Sequence, residues 1–218
     1  MPQRFNGVEA LARLREGNRR FVAHVISLES LLSHARRAEH ALSQHPFAIV
    51  LGCSDSRAPA EFIFDQGLGD LFVIRVAGNI AAASQIGSIE FAVESFGVEL
   101  VVVLGHAGCG AIRATVQHCR HPADTSDGLR SIVDYICPAV LPLVDASTGI
   151  DDAVLVERAV RANVVATAQT LRTASSLLEK RVNEGRLLIV GADYNLSTGI
   201  VDFFDGVPAT SGMASQAW

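Results

Sequence analysis

Lysine is nearly missing from this chain. Lys180 is the only one in 218 residues, and the other basic side chains are arginines interspersed with acids. A phosphate-cradling Walker loop needs a lysine after its glycines, so that class is excluded. The net charge of −5 and the lack of any basic cluster argue against a nucleic-acid partner. No run of eighteen or more apolar residues occurs, so no spanning helix is expected. The N-terminus has neither the apolar stretch nor the small-residue cleavage site of a secretory signal. Its arginines are mixed with Glu9 and Glu16, unlike those of a transit peptide. Cysteine is sparse: four in a chain of this size read as reduced thiols in a cytosol rather than as a disulfide framework. The expected location is cytoplasmic, with no membrane partner.

What is present is a folding chain. Hydrophobic content of 49% against 19% charged excludes disorder, and the length allows one domain with a substantial core. That domain is expected over 1–218, as a helical arm (1–45), an α/β core (46–205) and a loose tail (206–218). Val8 to Val22 has helical periodicity, and a second helix is expected from Leu28 to about Leu42. These two amphipathic helices must bury their stripes, and a second copy of the chain is one place to do so.

From Phe47 the pattern changes to short, continuously apolar runs: Phe47–Leu51, Leu71–Ile74, Leu100–Leu104 and Leu187–Val190. Such runs suit strands covered on both faces. Helical stretches separate them, at Ile86–Phe96, Cys109–His118, Ser131–Leu143 and Asp152–Glu184. The alternation predicts an α/β fold: a mainly parallel four-stranded sheet with helices on both faces. Gly199–Phe204 is expected to return through Asn195–Thr198 as an antiparallel edge strand. No repeat, low-complexity tract or linker divides the chain.

Two motifs carry chemistry. Cys53-Ser-Asp55-Ser-Arg57 follows the first strand, and His106-Ala-Gly-Cys109 follows the third. Two thiolates and one imidazole are a donor set that a zinc site uses when it keeps its fourth position for chemistry. In open α/β sheets ligands gather beyond the carboxyl ends of the strands, so the motifs converge if the first and third strands are neighbours. Gly108 and Gly110 allow a tight turn into a helix whose N-terminus favours thiolates. Other metal-like residues read more plainly. His118-Cys119-Arg-His121 sits at a helix end with its donors on different faces, and Cys137 reads as a core residue. His24, His34, His40 and His45 read as solvated, although His45 is close enough in sequence to Gln44 to relay protons.

These residues resemble the β-class carbonic anhydrases. The resemblance runs from Ala10–Phe21 through Cys53–Asn79 and Gly87–Ile112 to the closing VGADYNLSTGIVDFF segment. It implies zinc held by Cys53, His106 and Cys109, with Asp55 and Arg57 as a catalytic dyad. Directed at the ion, Asp55 would be a fourth ligand in an inactive state; held away by Arg57, it would accept a hydrogen bond from the reacting water. The resemblance also implies substrate contacts from Gln44, Phe72, Phe91 and the backbone at Gly110. Phe91 stands where the family often has Tyr, and so lacks that hydroxyl. Val50 stands where one branch carries the Trp of an allosteric bicarbonate pocket, so that pocket is not expected. The implied activity is reversible hydration of CO2 to bicarbonate by a zinc-held hydroxide, in a homodimer or larger homo-oligomer. The rivals are hydrolysis of COS or CS2 at the same ion, a catalytically silent binding relative, and a thiol redox protein using Cys53 and Cys109.

Overall fold

The computed structural model describes residues 4–35, 41, 43–122, 125–147, 149–173 and 175–209, with Glu29 and 33–35 described as backbone alone. Helices α1 (Gly7–Val22) and α2 (Leu28–Ala35) precede β1 (Ala48–Gly52). Then come a short helix α3 (Ala60–Ile63), β2 (Leu71–Arg75), a 3-10 turn (Ala77–Asn79), α4 (Ala83–Phe96) and β3 (Leu100–His106). Helices α5 (Gly110–Arg120), α6 (Asp127–Asp145), α7 (Asp152–Thr173) and α8 (Ser176–Asn183) lead to β4 (Leu188–Tyr194) and β5 (Val201–Asp205). The strand order is β2-β1-β3-β4-β5, parallel except for β5, which returns antiparallel on β4 at the edge. No helix among the described residues is long and apolar enough to cross a membrane.

The two-residue period of a strand sorts the apolar runs into two layers. Ala48 and Val50 of β1 and Leu100, Val102 and Leu104 of β3 face Ala10, Leu11 and Leu14 of α1. Ile49, Leu51, Val101 and Val103 face the other way, onto Ile89 and Val93 of α4 and Val164, Ala168 and Leu171 of α7. Every residue of β1 and β3 is buried, which is why their sequences are continuously apolar rather than alternating. A third cluster contains Cys53 and Cys109 with Ile112, Val116, Ile136, Val140 and Leu155 from α5, α6 and α7.

Helix α1 is tied down by one buried side chain. The Asn18 amide donates to the carbonyls of Ile63 (3.2 Å) and Gly199 (2.9 Å), and its Oδ1 accepts from the N–H of Val201 at 2.9 Å. Beside it, a Cβ on Gly17 would lie 1.8 Å from the Phe64 carbonyl oxygen, so glycine alone permits this approach. Asn18→Ala strands a buried N–H and two carbonyls, and is expected to cost about 2–4 kcal/mol in urea unfolding. An unchanged midpoint would show that these bonds do not anchor α1.

Several boundaries differ from expectation. The long helix expected over Asp152–Glu184 is two helices: the Ser175 hydroxyl accepts from the Leu178 N–H at 3.2 Å and starts α8 afresh. Helix α6 begins four residues earlier than Ser131, with Ser126 as its cap, and runs through Pro138 and Pro142. Helix α3 and the 3-10 turn are too short to leave a periodic signal. The expected extension of the second helix towards Leu42 falls on residues outside the described set (36–40 and 42), as does most of the loose tail (210–218).

Candidate metal centre

Cys53 directly follows β1, His106 is the last residue of β3, and Cys109 caps the N-terminus of α5. Since β1 pairs with β3, with Gly52 opposite Leu104, both motifs leave the sheet at the same end. Gly108 sits between the two β3-side donors at φ +64°, the left-handed turn that aims them at one point. Gly110 is an ordinary helical residue with open space at its Cβ position, so the turn does not need it.

The three donor atoms are buried and lie within 4.8 Å of one another, the one such group among the described residues. Cys53 Sγ and Cys109 Sγ are 3.9 Å apart. Tetrahedral zinc with bonds of about 2.3 Å to each sulfur sets them roughly 3.8 Å apart, so this spacing fits an ion between them. The Nδ1–H of His106 donates to the Ala107 carbonyl at 3.1 Å, which turns the Nε2 lone pair towards the sulfurs. That Nε2 is buried and has no hydrogen-bond partner. A buried polar atom normally has one, and a borderline-soft divalent cation would supply it here.

The protons fit as well. The hydrogen bond from Cys109 holds the Cys53 thiol below its ordinary range despite burial, with help from His106. The same contact, together with burial, pushes Cys109 upward. Burial opposes charge on His106, but contact with Cys53 raises it overall. The cluster therefore retains protons that a cation must displace, and metal affinity rises with pH.

Asp55 lies beside the donors, with Oδ2 3.9 Å from His106 Nε2. Both its oxygens face Arg57: Nε donates to Oδ1 at 3.0 Å, Nη2 to Oδ2 at 2.8 Å, and the Arg57 backbone N–H to Oδ1 at 2.9 Å. These bonds hold the Asp55 carboxyl well below the usual carboxylate range. Asp55 is thus turned towards Arg57 and is not one of the clustered donors.

Among the remaining expected site residues, Gly110 directly follows Cys109 and so lies beside the cluster. Gln44 is exposed in the segment before β1, and Gly110 is exposed at the start of α5. Phe72 and Phe91 pack on each other (6.2 Å between ring centroids) and on Phe96, and Phe72 and Phe96 lie against the α4 and α7 core layer rather than the layer of Cys53 and Cys109. Phe91 is 54% exposed. His118, Cys119 and His121 form no metal-ligating group with three donors among the described residues.

Two further residues border the site. Arg75, at the end of β2, donates to the carbonyls of Cys53 (3.0 Å) and Asp55 (2.5 Å) and braces the loop that presents both. A charged residue closing the apolar run Leu71–Ile74 was the available signal. Asp193 pairs with Gly105 across β3 and β4, and burial raises its carboxyl; nothing in a buried strand distinguishes it beforehand.

Comparison with known proteins agrees with the geometry. The family description "Carbonic anhydrase" matches residues 48–201. Carbonic anhydrase 2 of Mycobacterium tuberculosis is 40% identical over 194 residues, covering 89% of this chain and 91% of its own. The carbonic anhydrase of Mycolicibacterium smegmatis is 38% identical over 197 residues, covering 90% and 93%. The solved structure of the β-carbonic anhydrase CcaA aligns with a TM-score of 0.69 at 27% identity over 92% of each chain. With both donor motifs inside the matched segment and the same architecture around them, the chain belongs to the β-carbonic anhydrase family.

Proposed function

We propose that this carbonic anhydrase is a zinc enzyme that interconverts CO2 with bicarbonate and a proton. Cys53, His106 and Cys109 hold the ion, and Asp55 and Arg57 do the proton work. The observation that carries this reading is a donor cluster spaced for a tetrahedral ion beside a carboxylate that Arg57 keeps facing away.

Zinc supplies acidification of a water, and two thiolates cancel its charge, so it acidifies less than a three-imidazole site, where bound water reaches a pKa of about 7. The protein's share is orientation. Asp55 is ionised and acts only as an acceptor, so it takes a hydrogen bond from the reacting water and helps draw off its proton. Arg57 fixes the direction of that acceptor with a two-pronged grip and would keep the carboxylate from joining the three residues that would hold the ion. Arg75 holds the carbonyls on either side of Ser54, so Cys53 and Asp55 move as one piece. CO2 has no net dipole and needs only an apolar approach, which we assign to Phe72 and Phe91. Gln44 and the backbone N–H at Gly110 are assigned to the bicarbonate oxygens.

Gln44 and Phe91 are exposed, so we assign their contacts to the site of a neighbouring copy. A homo-oligomer is supported by an apolar groove in which Val25, Ile26, Leu31 and Phe62 are each more than half exposed. A monomer in sedimentation at micromolar concentration would refute it. The cytoplasmic assignment rests on four cysteines that are all free thiols.

The test combines metal analysis with stopped-flow CO2 hydration across pH. About one zinc per chain and a rate that climbs above neutrality are expected. The sign follows from the groups present. Arg57 holds Asp55 charged throughout the neutral range, so the climb cannot come from its titration. It comes from the weakly acidified water losing its proton. A rate that is flat from mildly acidic to alkaline pH, or protein purified without zinc, would contradict the proposal.

A further inference from the structure

Helices α5 and α6 meet along a seam that the metal centre does not use. On α5, Ile112, Val116 and Cys119 recur at helical spacing on one face, and on α6 Val133, Ile136, Cys137 and Val140 do the same. The isoleucines and valines are buried, while Cys119 and Cys137 are half-buried. Their sulfurs are 2.9 Å apart. The contrast with the metal-site cysteines is informative. Cys53 and Cys109, at 3.9 Å, have room for an ion between them. Two sulfurs at 2.9 Å do not, and no third donor completes a group with them among the described residues. Yet 2.9 Å is closer than two non-bonded sulfurs rest, and a bond of about 2.0 Å needs only a small further approach. Burial and the neighbouring Cys137 push the Cys119 thiol up to about 12, so Cys119 is a poor first attacker in an exchange while Cys137 still stands beside it as a thiol.

We propose that Cys119 and Cys137 are a dithiol redox site, which small disulfides oxidise to an intramolecular bond joining α5 to α6. The Cys137 thiolate attacks one sulfur of a low-molecular-weight disulfide, forming a mixed disulfide and releasing one thiolate. The Cys119 sulfur then displaces the second thiolate and closes the protein disulfide. Two electrons pass from the protein to the small disulfide, and the two thiol protons leave on the two released thiols. The bond closes a loop between residues 18 apart in sequence, across the connection from α5 to α6. Ile136, next to Cys137, packs within 2.6 Å of the position a Cβ on Gly78 would take, and Cys109 caps α5. The bond therefore ties α5, which begins at the donor Cys109, to α6, which packs on the 3-10 turn at Gly78.

The test uses the metal-loaded full chain with oxidised glutathione as the probe. Remaining thiols are alkylated, and peptides are mapped by mass spectrometry without reduction. The expected product joins the Cys119 peptide to the Cys137 peptide, lighter by two hydrogens, with two glutathiones released per chain. Its thermal midpoint should exceed that of the reduced protein by about 5–10 °C, as expected for closing a loop of this length in a chain of this size. Cys119→Ser and Cys137→Ser should each abolish both the link and the shift. Recovery of both cysteines alkylated, separate glutathione adducts on each, a Cys53–Cys109 link instead, or a linked product that melts no higher would overturn the proposal. None of these readouts depends on CO2 hydration, so the redox site stands or falls apart from the catalytic reading.

Discussion

Cys53→Ser is expected to leave a folded chain with far less than one zinc per subunit and to lower CO2 hydration by at least about 1,000-fold. The reason lies in how the three donors divide the work. His106 is fixed by its bond to Ala107, and Cys109 by its place at the cap of α5. Cys53 is the clustered donor whose proton is most easily lost, since Cys109 and His106 both favour its thiolate. Serine keeps the shape but offers a far weaker acid and a harder donor, so the remaining thiol must shed its proton without help. The fold should persist, because β1 is held by strands on both sides and by two apolar layers that the substitution does not touch. Circular dichroism and metal analysis of the same sample separate the outcomes. A variant that holds a full zinc complement would remove Cys53 from the ligand set, whereas an unfolded one would make its role structural.

The legible part of this molecule was the part in which the sequence carries a repeating physical constraint. Strands buried on both faces must be apolar at every position, so β1 and β3 announced themselves; their adjacency stood only as the condition for bringing Cys53 to His106, and the structure meets it. The antiparallel return of β5 was legible from its short connection. What stayed hidden depends on single contacts. Ser175 restarts a helix with one hydroxyl, a choice that periodicity does not encode. Arg75 braces the Cys53 loop through two carbonyls, which any donor at the right place could reach. Cys137 looked like a core residue because an apolar helix face hides a thiol well, and only the packing of α5 against α6 brings Cys119 to it. The placement of Phe72 on a different core layer from Cys53 was likewise invisible, since a chain read alone says which residues are apolar but not which layer they serve.

Asp55→Ala should keep its zinc and lose about 100- to 1,000-fold in the rate of CO2 hydration, the range expected when a positioned proton acceptor is removed. Zinc should stay because Asp55 is not one of the three clustered donors and both its oxygens are committed to Arg57. Arg57→Ala makes a sharper test. It leaves the carboxylate in place but removes the grip, and Asp55 Oδ2 already lies 3.9 Å from His106 Nε2. Once released, the carboxylate would be free to turn towards the three clustered donors and would no longer be held as an acceptor for the reacting water, so Arg57→Ala should also be slow. The two residues then act as one device, and Asp55→Ala with Arg57→Ala should be little worse than Asp55→Ala alone, because the arginine has nothing left to hold. Losses that multiply in the double variant would mean that Arg57 acts on the reaction independently, and full activity in Asp55→Ala would leave the acceptor role to another group. The exposure of Arg57, with 61% of its side chain open to solvent, decides how such data are read. An ion pair so open to water contributes little to folding, so a large rate loss at unchanged thermal stability is the signature of a group that orients chemistry rather than one that supports the fold.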